Sequence, residues 1–417
     1  MENAVKEVAT VSLFTNFDHY NPPIGPDGTP YEFFEALRDE AIQTNTPIGW
    51  SEVYGGFWVV TGWEEAHQIQ RNPAVFSSTE VTFPAIGTPG GRPVMLAGHD
   101  DPAHMKYRRL LQVPFSPSQA IAMTEYFRKD ANLLIDRFIG SGRVDIVEAL
   151  TQEVPGRMTA MLIGAPPEEG SMFRTWVHSM AMEVHKDPEG AGRHMRDMDA
   201  YWEKLLADRR KNPGDDVMSQ VIHAEIDGES LTDEELYDFF VILLIGGIDN
   251  TVYLLGDMLW RLAWDKELRR RLVRKPELLE SAIDEFLRMY SPNMSARITT
   301  EAVEIGGVRM EAGQHLVNFH PIINRDPRQF PNPDVFIAER SPNRHFALGL
   351  GIHRCLGTHL VRVEATVVAE EFMARIPEWE LDQERPSKWF PGQTGGMASV
   401  PIVFPPGGGL PGEGSKP

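Results

Sequence analysis

The stretch TDEELYDFFVILLIGGIDNTVYLLGDMLWRLAWD, residues 232–265, constrains the fold of this chain more than any other. Thr232 and Glu235 form a capping box at its start, and Asp233 and Glu234 suit the positive end of a helix dipole. The pattern predicts one helix from Thr232 to Asp265, roughly 50 Å long at 1.5 Å per residue. An element of that length calls for a mainly α architecture. Its middle goes against helix preference. Gly246 and Gly247 each cost about 1 kcal/mol relative to Ala, and Asp249, Asn250 and Thr251 put polar groups inside an apolar helix. The plain reading is a kink with a solvated face; the alternative is a groove that carries chemistry.

Around this helix the chain reads as mostly helical from about 102 to 290. Residues 46–62, TPIGWSEVYGGFWVVTG, read as two short strands about the turn Tyr54-Gly55-Gly56. Residues 297–320 and 380–403 supply further β material, so the fold class is mainly α with a small β subdomain. Residues 77–101, rich in Gly, Pro and Thr, read as a long loop, and 404–417 as a frayed tail. No linker divides the chain, so 1–403 is expected to be a single catalytic domain. A formal charge of −20 argues against nucleic acid or an anionic membrane surface as partner. The N-terminus lacks a signal peptide's basic start and apolar core, and the apolar run from Phe239 to Ile248 is about half a membrane span. A cytoplasmic location is expected.

The chain has one cysteine, so no intramolecular disulfide is possible. Cys355 sits in FALGLGIHRCLG, with glycines at 349, 351 and 357 and His353 two residues before it. Isolated cysteines are usually small buried hydrophobes. Here the glycines let backbone approach something large and flat, and a helix starting near Cys355 would favour thiolate. A thiolate could be a nucleophile with His353 as base, or a metal ligand. Zinc is disfavoured because no CxxC or HxxxH spacing adds ligands. Haem iron needs only one protein ligand, but the two propionates of a haem need cations. His104 and Arg108, spaced i, i+4 after Pro102, and Arg297 are candidates, though each alone reads as a solvated basic residue.

The motifs together resemble the cytochrome P450 family, in family order and over essentially the whole chain. Gly246-Gly247-Ile248-Asp249 falls where the family has its oxygen groove, Glu285-x-x-Arg288 matches its ExxR pair, and NRDPRQFPNPDVFIAER its meander, with Arg340 as third member of the charge cluster. Gly349-x-Gly351-x-His353-x-Cys355-x-Gly357 matches the cysteine loop. The resemblance implies the P450 fold, haem b (iron protoporphyrin IX, heme b) with O2 as co-substrate, and Cys355 as the axial metal ligand. It also implies His104, Arg108, Arg297 and His353 at the propionates and Gly247, Gly349 and Gly357 against the cofactor. Segments such as GPDGTP, FFEALRDEA, LLIGGIDNT and GIHRCLG are similar to cineole-hydroxylating members of the family, which implies a compact monoterpenoid substrate. Leu348 and Asn250 stand where most members have Phe and Thr, as in those cineole enzymes. The loop AIGTPGGRPVM departs from them.

The reaction implied combines O2, two electrons and two protons with a C–H bond to give an alcohol and water. Asp249 is expected to relay protons, with Asn250 and Thr251 supplying hydrogen bonds. Phe83, Leu244, Ile248 and Met294 are expected to line an apolar pocket. With no flavin or nicotinamide fingerprint, electrons must come from a separate ferredoxin or flavodoxin, docked on a basic face of Arg108, Arg109, Arg354 and Arg362. The rivals are a haem-thiolate sensor without turnover and a cysteine-nucleophile hydrolase without haem.

Overall fold

The computed structural model describes residues 12–84, 92–180 and 187–407. The 85–91 part of the expected loop and the tail from 408 on lie outside the described residues. The helices that carry the argument are α1 (Tyr31–Gln43), α2 (Ala103–Leu111), α3 (Thr124–Phe138), α4 (Glu153–Leu162), α5 (Gly170–His178), α6 (Pro188–Lys211), α7 (Asp233–Gly247), α8 (Asp249–Trp264), α9 (Leu279–Met289) and α10 (Thr358–Arg375). Strands β1 (Ile48–Ser51), β2 (Phe57–Val60), β3 (Phe76–Ser77), β4 (Ser295–Thr299) and β5 (His315–Asn318) form a five-stranded sheet in the order β1-β2-β5-β4-β3. Only the β5–β2 pair is parallel. Short strands β6 (Lys388–Phe390) and β7 (Gly396–Ser399) pair antiparallel, and Pro401–Val403 pairs with both Glu380–Leu381 and Arg143–Asp145. The mainly α body with a small β part is as expected.

The long central element departs from its expectation. It is two helices, α7 and α8, broken at Ile248, where φ is −104° and ψ −78°. The capping box is present at its start: Thr232 Oγ1 accepts from Glu235 N at 3.2 Å, and Glu235 Oε2 accepts from Thr232 N at 2.8 Å. By length and composition alone Asp233–Trp264 is long and apolar enough to cross a membrane. In the fold, all the residues from Thr251 to Trp260 are buried against protein. A helix apolar all round is what a central position requires.

The core holds one buried acid without company. Glu364 on α10 is fully buried, and neither carboxyl oxygen has a hydrogen-bond partner. Burial first, then the nearby charge of Asp130, pushes its pKa up to about 8. With an unfolded value of about 4.3, the folded state keeps a proton that the unfolded state has released, so stability falls as pH rises from about 4 to about 8. Glu364→Gln is expected to remove this fall, gaining about 4–5 kcal/mol at pH 8 and almost nothing near pH 4. Urea unfolding of the haem-loaded protein across that range checks it; an unchanged pH slope in the variant would refute it.

Candidate functional site

The cysteine loop is held by its own backbone. Gly349 N donates to Phe346 O at 2.7 Å, and Cys355 N donates to Leu348 O at 2.7 Å. Gly351 has φ +71°, and a Cβ there would fall 2.4 Å from the Gln70 carbonyl oxygen, so only glycine fits. Gln70 Oε1 also accepts from Leu350 N at 2.8 Å, which ties the loop to the first helical segment of the sheet region. Helix α10 begins at Thr358, three residues after the position expected, and the Gly357 amide donates to the Cys355 sulfur. Cys355 keeps exposed surface as a residue although protein surrounds its sulfur, as it would in a loop lining an internal cleft. Burial raises the thiol pKa and outweighs the opposing effects of Gly357, Arg108, Arg362 and Arg354. A free thiol at this position is therefore held protonated. The His353 ring packs on His104 at 4.4 Å between centroids, and burial holds its pKa down at about 3. This geometry does not make an activated nucleophile.

Three distant segments bring a cluster of basic groups to the same cleft. His104 on α2 is 1% exposed; Asp101 Oδ1 lies 3.6 Å from its Nδ1, and neither ring nitrogen makes a hydrogen bond. His353 Nε2 is likewise unpartnered. Arg297 on β4 is buried and donates to its own neighbour's carbonyl, Ala296 O, at 2.6 Å. Burial lowers its pKa to about 10 against the pull of Asp100. Arg108 Nη2 donates to Arg354 O at 2.6 Å, binding α2 to the cysteine loop. Buried donors and an unpaired buried guanidinium are costly unless anionic acceptors meet them. Two carboxylates are the groups that would satisfy this set, so the residues fit a haem with its propionates here and its iron at the Cys355 sulfur.

The opposite wall is the broken helix. Around the break, Ile242, Ile245, Gly246, Gly247, Asp249 and Asn250 keep accessible surface, and all but Gly247 fall on one face, spaced i, i+3, i+4, i+7 and i+8. Leu244 and Ile248 are 0% exposed and point into the core, so they do not line the cleft as expected. Gly247, by contrast, is only half-buried. A Cβ on Gly247 would meet Thr159 Oγ1 at 2.5 Å, so this glycine serves the packing of α7 on α4. A Cβ on Gly246 would meet nothing within 4 Å, which makes Gly246 the glycine of the open face. Helical period, counted from Asp249, is the signal that would have selected Ile242, Ile245 and Gly246. Phe83 and Met294 are buried in the hydrophobic cluster of the sheet, Phe83 with its ring 5.2 Å from that of Phe57.

At the break, Ile248 O accepts from both Thr251 N and Val252 N, each at 3.1 Å, so Asp249 and Asn250 start a fresh helical turn. Burial raises the Asp249 pKa, and Arg174 and His178 on α5 oppose the shift. Asn250 Oδ1 is buried without a partner, and Thr251 is buried. The four arginines expected to form the docking face differ in exposure and pairing. Arg109 and Arg354 are exposed, whereas Arg108 is held by Arg354 O and Arg362 Nε donates to Asp284 Oδ1 at 2.8 Å.

Behind the cysteine loop, Glu285 receives Arg288 Nε and Nη2 at 2.8 and 2.7 Å and Arg340 Nε at 3.0 Å. Glu285 and Arg288 are both 0% exposed.

The cytochrome P450 family model matches residues 171–402. The chain is 30% identical over 357 residues to the mycinamicin IV hydroxylase/epoxidase of Micromonospora griseorubida, covering 83% of this chain and 89% of that protein. It is 29% identical to the steroid C26-monooxygenase of Mycolicibacterium smegmatis, covering 84% of this chain and 88% of that one. Among solved structures, the polyketide synthase cytochrome P450 PksS of Bacillus subtilis superposes with a TM-score of 0.83 at 27% identity, covering 93% of this chain and 99% of that one. The post-tailoring hydroxylase HmtN of himastatin biosynthesis does so with a TM-score of 0.76 at 31% identity, covering 86% and 94%. The chain belongs to the cytochrome P450 family and is a monooxygenase with haem b as cofactor and O2 as co-substrate.

Proposed function

We propose that this monooxygenase hydroxylates a compact monoterpenoid, 1,8-cineole first among them, with Cys355 as the iron ligand. The observation that carries the substrate reading is the accessible face of α7–α8. It is apolar at Ile242, Ile245 and Gly246 and ends on the carboxyl of Asp249 and the amide of Asn250, whose N–H groups can donate to a substrate oxygen. An apolar wall with few hydrogen-bonding groups, one of them an amide that can donate, suits a small ether or alcohol. The likeness to cineole-hydroxylating members points the same way. Residues 1–403 act as the one catalytic domain of a cytoplasmic enzyme, with 404–417 a tail. Electrons come from a ferredoxin or flavodoxin, attracted by Arg109 and Arg354.

When bound, the haem supplies the oxygen-activating chemistry, which thiolate donation favours. His104, Arg108, Arg297 and His353 would hold the propionates, and Gly349 and Gly357 would let the cysteine loop lie close to the haem. Asp249 receives and passes protons at its carboxyl oxygens, and the charges of Arg174 and His178 partly offset the burial that raises its pKa. An amide has no readily transferred proton at neutral pH, so Asn250 orients substrate by donating to its oxygen. Thr251, being buried, supports the turn.

Two experiments test this reading. Binding of cineole, camphor or limonene is expected to shift the haem spectrum towards high spin. A strong shift with fatty acids, aromatic acids or a steroid, and none with any terpenoid, would sink the substrate class. In turnover, Asn250→Ala is expected to scramble the product pattern while most electrons still reach product, whereas Asp249→Asn slows turnover at least tenfold. Nearly complete diversion of electrons to peroxide in Asn250→Ala, with unchanged regiochemistry, would reverse these two roles.

A further inference from the structure

Every fourth residue along α8 is polar or ionisable: Asp249, Tyr253, Asp257, Arg261, and Asp265 just beyond its end. That spacing places them on one face. The reaction as described uses only Asp249. Tyr253 is 8% exposed and Asp257 0%, among neighbours that are otherwise apolar core. Asp257 accepts from Tyr31 Oη at 3.4 Å and from the Met397 amide, and no cation is among the groups acting on it. An ionised carboxylate in that setting is strongly disfavoured, and burial keeps the group a neutral acid, its pKa well above the usual range. Burial, and then Asp249, raises the Tyr253 pKa, with Arg174 opposing and Asp257 adding to the rise. Strand β7 presses on this face. A Cβ on Gly396 would fall 2.4 Å from Tyr253 Cβ and 2.7 Å from Asp257 Oδ2. The far end reaches the surface: Tyr31 on α1 is half-buried and its ring lies 5.4 Å from that of Tyr290. Arg261 Nη1 donates to Tyr290 Oη at 3.2 Å and pairs with Asp265 at 2.7 Å. Arg325 lies over the Tyr31 ring at 5.2 Å.

We propose that Asp257, Tyr253 and Asp249 form a proton path along one face of α8, with Asp257 as its buried reservoir and Tyr31 as its entry from solvent. The path rests on the reading that Asp249 delivers protons at the site. In one transfer the Tyr253 hydroxyl gives its proton to the Asp249 carboxylate and takes one from the Asp257 carboxyl. Tyr31 then protonates the Asp257 carboxylate and recovers a proton from water. One proton moves, no electrons do, and each relay group returns to its starting state. The Tyr31–Asp257 contact is made in this structure, whereas no hydrogen bond joins Tyr253 to Asp249 or Asp257 and Asp257 Oδ2 is buried without a partner, so those two transfers require a side-chain rotation or a bridging water.

The haem-loaded protein is expected to show an infrared carbonyl band from the protonated Asp257 at pH 7. Asp257→Asn, or Asp257→Glu if the amide variant does not accumulate, assigns the band by removing or moving it. In D2O the hydrogen exchange of this carboxyl is expected to slow at least tenfold in Tyr31→Phe. With a surrogate ferredoxin and reductase, Tyr253→Phe is expected to lower kcat at least fivefold, leaving the reduced carbonyl spectrum and the substrate-induced spin shift unchanged. No Asp257 band in the parent, or exchange indifferent to Tyr31→Phe, would overturn the path. So would Tyr253→Phe at the parental rate while Asp249→Asn is slow. Asp249→Asn at the parental rate would instead overturn the underlying reading, and the path with it.

Discussion

Cys355→Ser is expected to abolish the thiolate-type spectrum of the reduced carbonyl complex completely. Cys355 is the chain's only thiol, so no second sulfur can substitute. In the parent, the Gly357 amide and the charges of Arg108, Arg362 and Arg354 all favour a thiolate, but burial outweighs them in the free thiol. Iron binding tips that balance, because a metal ion deprotonates a coordinating thiol outright. A serine hydroxyl at the same place starts from a far less acidic proton and donates less electron density. The variant should still take up some haem, since His104, His353 and Arg297 remain to meet the propionates. Difference spectroscopy of the reduced protein with carbon monoxide, beside a haem assay, separates loss of the ligand from loss of the cofactor. Retention of the parental spectrum in the serine variant would show that Cys355 is not the ligand.

The second large effect is on folding. Glu285 is fully buried and accepts five hydrogen bonds, from Arg288 Nε and Nη2, Arg340 Nε, Asn343 Nδ2 and Ile337 N. Arg288 in turn donates to the Asn324 and Pro333 carbonyls at 3.0 and 2.8 Å, and Arg340 to Pro331 O at 2.8 Å. One carboxylate thereby fixes α9 against the coil that leads into the cysteine loop. Glu285→Ala leaves two guanidiniums without their shared anion, a change that typically costs about 3–5 kcal/mol. Domains are commonly stable by only about 5–15 kcal/mol, so little folded, haem-loaded protein is expected. The control is Glu311→Ala. Its partner Arg309 is 70% exposed, and a surface pair of this kind contributes at most about 1 kcal/mol. Equal yields and haem contents for the two variants would mean that the buried cluster does not hold the fold together.

Much of this site was legible in the order of residues. The capping box at Thr232 and Glu235, the helix after Pro102, the Glu285-x-x-Arg288 pair and the glycine turn around Cys355 are written within a few positions of each other. Short-range geometry alone realises them. The glycines of the oxygen groove show where such reading stops. Gly246 and Gly247 are adjacent and chemically identical; helical period counted from Asp249 favours Gly246, but which neighbour packs against Gly247 is not written locally. Thr159 decides it from α4, by packing against Gly247. Leu244 and Ile248 went to the wrong wall for the same reason.

By itself, the sequence determined the fold class, the single possible thiol ligand and the candidate basic residues, because helix periodicity, capping and residue chemistry are local properties. The tertiary structure alone decided the break at Ile248, the convergence of His104, Arg297 and His353, and the burial of Asp257 beneath β7. Each of those depends on the distance between segments far apart in the chain. Dehydration and charge, the forces that give such groups their roles, act through space and leave no mark on neighbouring residues.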